Sequence, residues 1–270
     1  MKPSENKASV FHRYLIFSKK ECTEAIRTHK LLILLCVFGF FAILSPLSAR
    51  FMPDIMAWAL NMENMNMDGL VQLIPDPVWT DAYVQLYANL AQMGIITLIL
   101  VYMGSISKEK RSGTAALMFT KGLKPWQMVC VKFKIAALFT GVVLLITVCV
   151  TFLYTWLLFG EAGKIGLILF GFFAFWVYLG MMIAFILLGS SIAKSTSVAA
   201  VLGFVWFILF SVLNVIPRIG TYMPGGLVSI AVQASVGEIS PHAWMNILIA
   251  VIITSLALMF SIFVLKRRED

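Results

Sequence analysis

An all-α integral membrane protein with six transmembrane helices is predicted by two observations. Six long apolar stretches contain no Asp, Glu, Lys, Arg or His, and the basic residues fall almost wholly in alternate gaps between them. Each stretch meets the length of about 20 residues needed to cross a hydrocarbon core. Inside a bilayer the backbone must satisfy its own hydrogen bonds, so such runs form helices. The chain has 270 residues, is 60% hydrophobic and has a mean hydropathy of +0.92. Six spans therefore leave no room for a soluble catalytic domain.

Residues 1–30 read as a cytosolic tail with an interfacial amphipathic helix. In Phe11–Ile26, Phe11, Tyr14, Leu15, Cys22, Ala25 and Ile26 recur at helical spacing, with Arg13, Lys19, Lys20, Glu24 and Arg27 elsewhere. Residues 31–270 form the membrane domain. Its spans are expected at Leu31–Ala49, Ala82–Ser107, Ile135–Gly160, Ile165–Ala193, Ser195–Pro217 and Ala243–Leu265. No cleavable signal peptide is expected, because 30 charged and mixed residues precede the first span, which itself serves as the insertion signal.

Between spans one and two, Pro46 to Thr80 is an acidic external segment. Its Met62, Met65 and Met67 offer soft thioethers, but no Cys or His lies nearby, so no metal site is assigned. Before span six, Leu227–Val236 is apolar yet too short to span, and Pro224-Gly225-Gly226 breaks the chain ahead of it. A re-entrant segment is the natural reading, because irregular backbone at membrane depth needs protein or water around it.

Charge orients the chain, since Lys and Arg are retained in cytosolic loops. Lys2, Lys7, Arg13, Lys19, Lys20, Arg27 and Lys30 precede span one. Lys108, Lys110, Arg111, Lys121, Lys124, Lys132 and Lys134 separate spans two and three. Lys194 follows span four, and Lys266, Arg267 and Arg268 follow span six. Only Arg50, Lys164 and Arg218, of 21 basic residues, fall in the other gaps. Both termini are expected in the cytosol. The net charge of +8 then reflects anionic lipid and a cytosolic partner, not nucleic acid. Cys22 and Cys130 fall on the basic side and Cys36 and Cys149 in spans, so no external disulfide framework exists.

The spans lack the chemistry of a self-powered carrier or an enzyme. They hold no carboxylate for ion coupling and no histidine for haem or a hydrolase. No phosphate-binding Gly-x-x-x-x-Gly-Lys-Ser/Thr loop occurs. Gln85, Asn89 and Gln92 form one stripe at i, i+4 and i+7 on span two, and Asn214 sits toward the end of span five. Such groups either bond between helices or line a transport route. The stripe Thr147, Thr151 and Thr155 on span three reads as interhelical. Gly180-x-x-x-Ala184 and Ala199-x-x-x-Gly203 permit close helix approach.

The one substantial cytosolic loop begins Lys108-Glu109-Lys110-Arg111-Ser112-Gly113-Thr114, leads into a short apolar helix, Ala115–Thr120, and restarts at Lys124-Pro125-Trp126. This run is similar to the acidic–basic–Gly-Thr motif in permease subunits of the type-2 ATP-binding-cassette exporters. Lys132 matches the family's lysine at the next span's entrance, while Gly122 and Pro125 depart from its pattern. The resemblance covers nearly the whole chain. It implies a plasma-membrane permease that binds no cofactor itself, powered by a separate cytosolic ATPase subunit that binds ATP. A second permease subunit, identical or a sister, completes the assembly. It also implies that Lys108, Glu109, Lys110, Arg111, Ser112, Gly113 and Thr114 belong to an ATPase-coupling loop. In this loop Gly113 would allow a tight turn and Thr114 would cap the helix. Gln85, Asn89, Gln92 and Asn214 are the translocation-path residues expected on this reading. A membrane sensor or immunity module, binding a peptide or protein through its outside loops, is the alternative from another class.

Overall fold

The computed structural model describes residues 7–62, 76–216 and 225–267, and every regular element among them is helical. Helix α1 (Lys7–Arg27) precedes α2 (Lys30–Met62). The second span is composite: α3 (Trp79–Asn89), a π turn (Leu90–Gly94), α4 (Ile95–Tyr102) and, past a bend, α5 (Ser107–Arg111). The loop helix α6 (Thr114–Thr120) leads to α7 (Pro125–Phe159), α8 (Ile165–Ile192), α9 (Thr196–Val215), the short α10 (Gly226–Val236) and α11 (Ala243–Lys266). Among the described residues, six helices are long and apolar enough to cross a membrane, as the charge-free runs predict. Met65, Met67 and the stretch 217–224 lie outside the described residues.

Two helices run past the spans expected from the sequence. The span expected at Leu31–Ala49 lies within a longer helix, for α2 runs on to Met62 with Pro46 and Pro53 inside it. Proline has no N–H, so Pro46 cannot bond the carbonyl of Ala42 one turn back. The hydroxyl of Thr151 on α7 donates to that carbonyl instead, at 3.2 Å. At 33 residues, α2 extends about 50 Å, well beyond a hydrocarbon core of about 30 Å. Helix α7 likewise starts at Pro125 rather than Ile135, with Pro125 in the first turn, where no N–H is required.

Helix α8 is the hub, packed against α4, α7, α9, α10 and α11. Small residues set the closest approaches. A Cβ on Gly171 would stand 2.8 Å from the Ala231 carbonyl of α10, and one on Gly189 would stand 3.1 Å from Leu202 of α9. Gly180 behaves differently from the expectation of a tight helix crossing, for nothing lies within 4 Å of its Cβ position. Helix α10 buries Leu227, Ile230, Ala231 and Ala234 against α8 and α3. At the same end of the bundle, the Tyr83 hydroxyl donates to the Ala162 carbonyl at 3.0 Å.

Candidate functional site

At the other end, the loop motif joins three parts of the chain. Past Tyr102 the second span bends, and Ser190 of α8 holds the bend. Its Oγ accepts the backbone N–H groups of Ile106 (3.1 Å) and Ser107 (2.9 Å) and donates to the Met103 carbonyl (2.8 Å). These bonds satisfy donors that the start of α5 leaves without helical acceptors.

The four charges that follow point in different directions. Lys108 and Arg111 are exposed. Lys110 turns inward, and its Nζ donates to the carbonyls of Ser191 (2.5 Å) and Ala193 (2.9 Å) at the C-terminal end of α8. A cation there satisfies orphan carbonyls and complements the negative end of the helix dipole.

Glu109 also turns inward, with a side chain only 11% exposed. Its carboxylate meets Lys132 of α7 at 3.0 Å and Lys20 of α1 at 2.8 Å. Lys132, 3% exposed, bonds both carboxylate oxygens of Glu21 at 2.9 Å. Lys20 also pairs with Glu21 (3.1 Å) and Glu24 (3.3 Å). The Phe17 ring lies 5.3 Å from the Lys20 ammonium and 5.8 Å from that of Lys132. Burial works against the charge on Lys20, but its bond to Glu109 and the field of Glu109 and Glu21 prevail, and its pKa is raised. Burial likewise opposes ionisation of Glu24, yet the charges of Lys20 and Lys132 hold its pKa below the ordinary value. Three carboxylates, those of Glu21, Glu24 and Glu109, cluster closely enough to share a cation. The two lysines already supply the positive charge.

The sequence reading missed this network. It assigned Glu109 only to the ATPase-coupling loop and gave α1 an apolar face of Phe11, Tyr14, Leu15, Cys22, Ala25 and Ile26. The face that packs on α7 includes Phe17 and Glu21, while Leu15, Ile16 and Ile26 are exposed. The available signal was a glutamate four residues from both Phe17 and Ala25, on the buried side of an amphipathic helix.

Gly113 begins the next turn at φ +73°, the left-handed conformation that a glycine adopts without Cβ strain. It, and not Thr114, is the N-cap of α6. Thr114 is the first helical residue, and its hydroxyl reaches back to the Glu109 carbonyl at 3.2 Å, as does that of Ser112. Helix α6 rests on buried Ala115 and presents Leu117, 62% exposed, with Thr114, Ala116 and Thr120.

The polar stripe on span two divides. Gln85 Oε1 accepts the Ser48 hydroxyl of α2, and Asn89 Nδ2 donates to Ser45 Oγ at 3.3 Å. Gln92 lies within the π turn and is exposed. Asn214 packs against Gly225, where a Cβ would come within 2.5 Å of it.

Six apolar spans among the described residues define a multi-pass membrane protein, with a structured charged loop at one end. A family model described as ABC-2 family transporter protein matches residues 15–269, and the chain belongs to that family. Its members are the membrane subunits, not the nucleotide-binding ones, of ATP-binding-cassette transporters. No curated protein matches the sequence.

Proposed function

We propose that this chain is the membrane half of an ATP-driven exporter, moved by a separate cytosolic ATPase that docks on α6. Family membership supports the transporter reading, and the observation that carries the coupling role is the construction of the loop. Lys108, Arg111 and Leu117 face outward, while Glu109, Lys110 and Ser112 anchor the same segment to α1, α7, α8 and its own backbone. A push on such a platform reaches several helices without first bending the loop. The charged-loop end and both termini are cytosolic on this reading, following the placement of basic residues.

A second permease subunit completes the pathway, with Gln92 and Asn214 as its polar contributors. Gln85 and Asn89 hold span one beside it. The discriminating experiment reverses Lys108 and Arg111 to Glu together and co-expresses the variant with the ATP-binding-cassette ATPase. Normal insertion and an unchanged thermal midpoint, with loss of ATPase co-purification, are expected. Full co-purification and undiminished substrate-stimulated hydrolysis would overturn the docking assignment. Independently, a cysteine at position 121 should resist an impermeant maleimide in intact cells.

A further inference from the structure

A groove of about 510 Å³ lies between α7, α8 and α11, within the about 300–1,000 Å³ typical of ligand pockets. Phe133, Leu138, Trp176, Met181 and Leu258 line it, and Lys134 stands among them on the charged-loop side. Its deep wall is fixed. Trp176 Nε1 donates to the Ala137 carbonyl at 2.9 Å, and Gly141 leaves room for the indole, because a Cβ there would meet Nε1 at 2.6 Å.

Two hydroxyls also line the groove, but both are satisfied. Thr254 donates to the Ala250 carbonyl at 2.7 Å and Ser255 to that of Val251 at 2.8 Å. Lys134 is exposed, and no acidic side chain pairs with it among the described residues. The walls therefore suit hydrocarbon, and the only unmet charge is one cation at the end nearer the loop. Exposed Leu138 and Val251 show that the groove opens on an apolar surface between spans.

We propose that this groove is a binding site for an anionic phospholipid, with the phosphate on Lys134 and one acyl chain lying past Gly180 toward Trp176. The open space over Gly180 is where the chain passes. A zwitterionic lipid fits the same walls but carries its own cation beside the phosphate, so it gains less from Lys134. The assignment concerns the purified subunit alone and does not rest on transport or on an ATPase partner.

The test is native mass spectrometry of the delipidated full-length protein in mild detergent, titrated with phosphatidylglycerol or phosphatidylcholine of identical chains. One phosphatidylglycerol should be retained with a preference of about fivefold, the effect of a single lysine at an anionic surface. Lys134→Gln should erase the preference and leave weak binding of both lipids. Gly180→Leu should fill the groove and remove the retained lipid, with the thermal midpoint unchanged. Because Lys134 is exposed, its variant tests charge without touching the core, even if Gly180→Leu fails to fold. Equal retention of the two lipids by the native protein would overturn the proposal. So would a phosphatidylglycerol adduct that survives Lys134→Gln undiminished.

Discussion

Lys132, near the start of α7, lies 3.0 Å from Glu109 of the loop, so the charged motif is tied to the next span through a nearly dry ion pair. The same ammonium holds Glu21 of α1. One lysine thus joins α7 to the loop just before it and to the distant α1.

Breaking that junction should destabilise the protein, whereas altering its exposed neighbours should not. Removing the Glu109 carboxylate takes a charge-assisted bond from both Lys20 and Lys132, each worth about 1.5–3 kcal/mol, although Glu21 and Glu24 still balance the two lysines. Glu109→Gln should lower the thermal midpoint in detergent markedly, and Lys108→Gln should leave it nearly unchanged. Equal midpoints for the two variants would show that Glu109 is merely a surface charge.

The pH profile should show the cluster as well. Glu24 has its pKa lowered from 4.5, so its contribution is full above that value and is lost as pH falls through the folded-state pKa. Lys20 has its pKa raised from 10.5, so its contribution is full below that value and fades as pH rises through the folded-state pKa. These two groups predict a flat thermal midpoint between about pH 5 and pH 10. Glu24→Gln should lower the plateau and shrink the acid-side drop. An unchanged acid limb would remove Glu24 from the account.

Gly113 should tolerate substitution according to backbone preference rather than size. Its Cβ position is open, but φ +73° costs an ordinary residue about 1–2 kcal/mol. Gly113→Asn should therefore behave more like the native protein than Gly113→Ala does, and Gly113→Val should be worst. The readout is ATPase co-purification beside thermal stability. A ranking by side-chain volume, with Ala best, would contradict the strain argument.

Gln85, Asn89 and Gln92 should separate by assay. Replacing Gln85 or Asn89 by Leu removes a bond to span one, worth on average about 0.6 kcal/mol in a membrane protein. Gln92→Leu removes no such bond and should alter only substrate-stimulated ATPase activity of the assembled complex. If Gln92→Leu lowers stability as much as the other two, the division fails.

The spans were legible because charge-free runs of this length have one structural solution in a bilayer. The full extent of the helices that contain them was not. Pro46 breaks the helix's own bonding within span one, but a hydroxyl more than 100 positions later supports the backbone there. The turn at Gly113 could be read locally, since it depends on a glycine and its immediate neighbours. Glu109 could not, because its meaning lies in Lys20 and Lys132. Charges that alternate between solvent and interior look alike in a basic loop until their partners are placed. The π turn at Leu90–Gly94 left no local signature, and it is the segment in which Gln92 falls.

The bond from Thr151 to the Ala42 carbonyl makes two distant positions a single unit of inheritance. With Pro46 present, Thr151→Val would strand a carbonyl inside the bundle. With alanine at 46, the helix could satisfy that carbonyl itself and the valine would be harmless. Relatives that lose the threonine should thus be those that have also lost the proline, and the order of the two changes should favour the proline first.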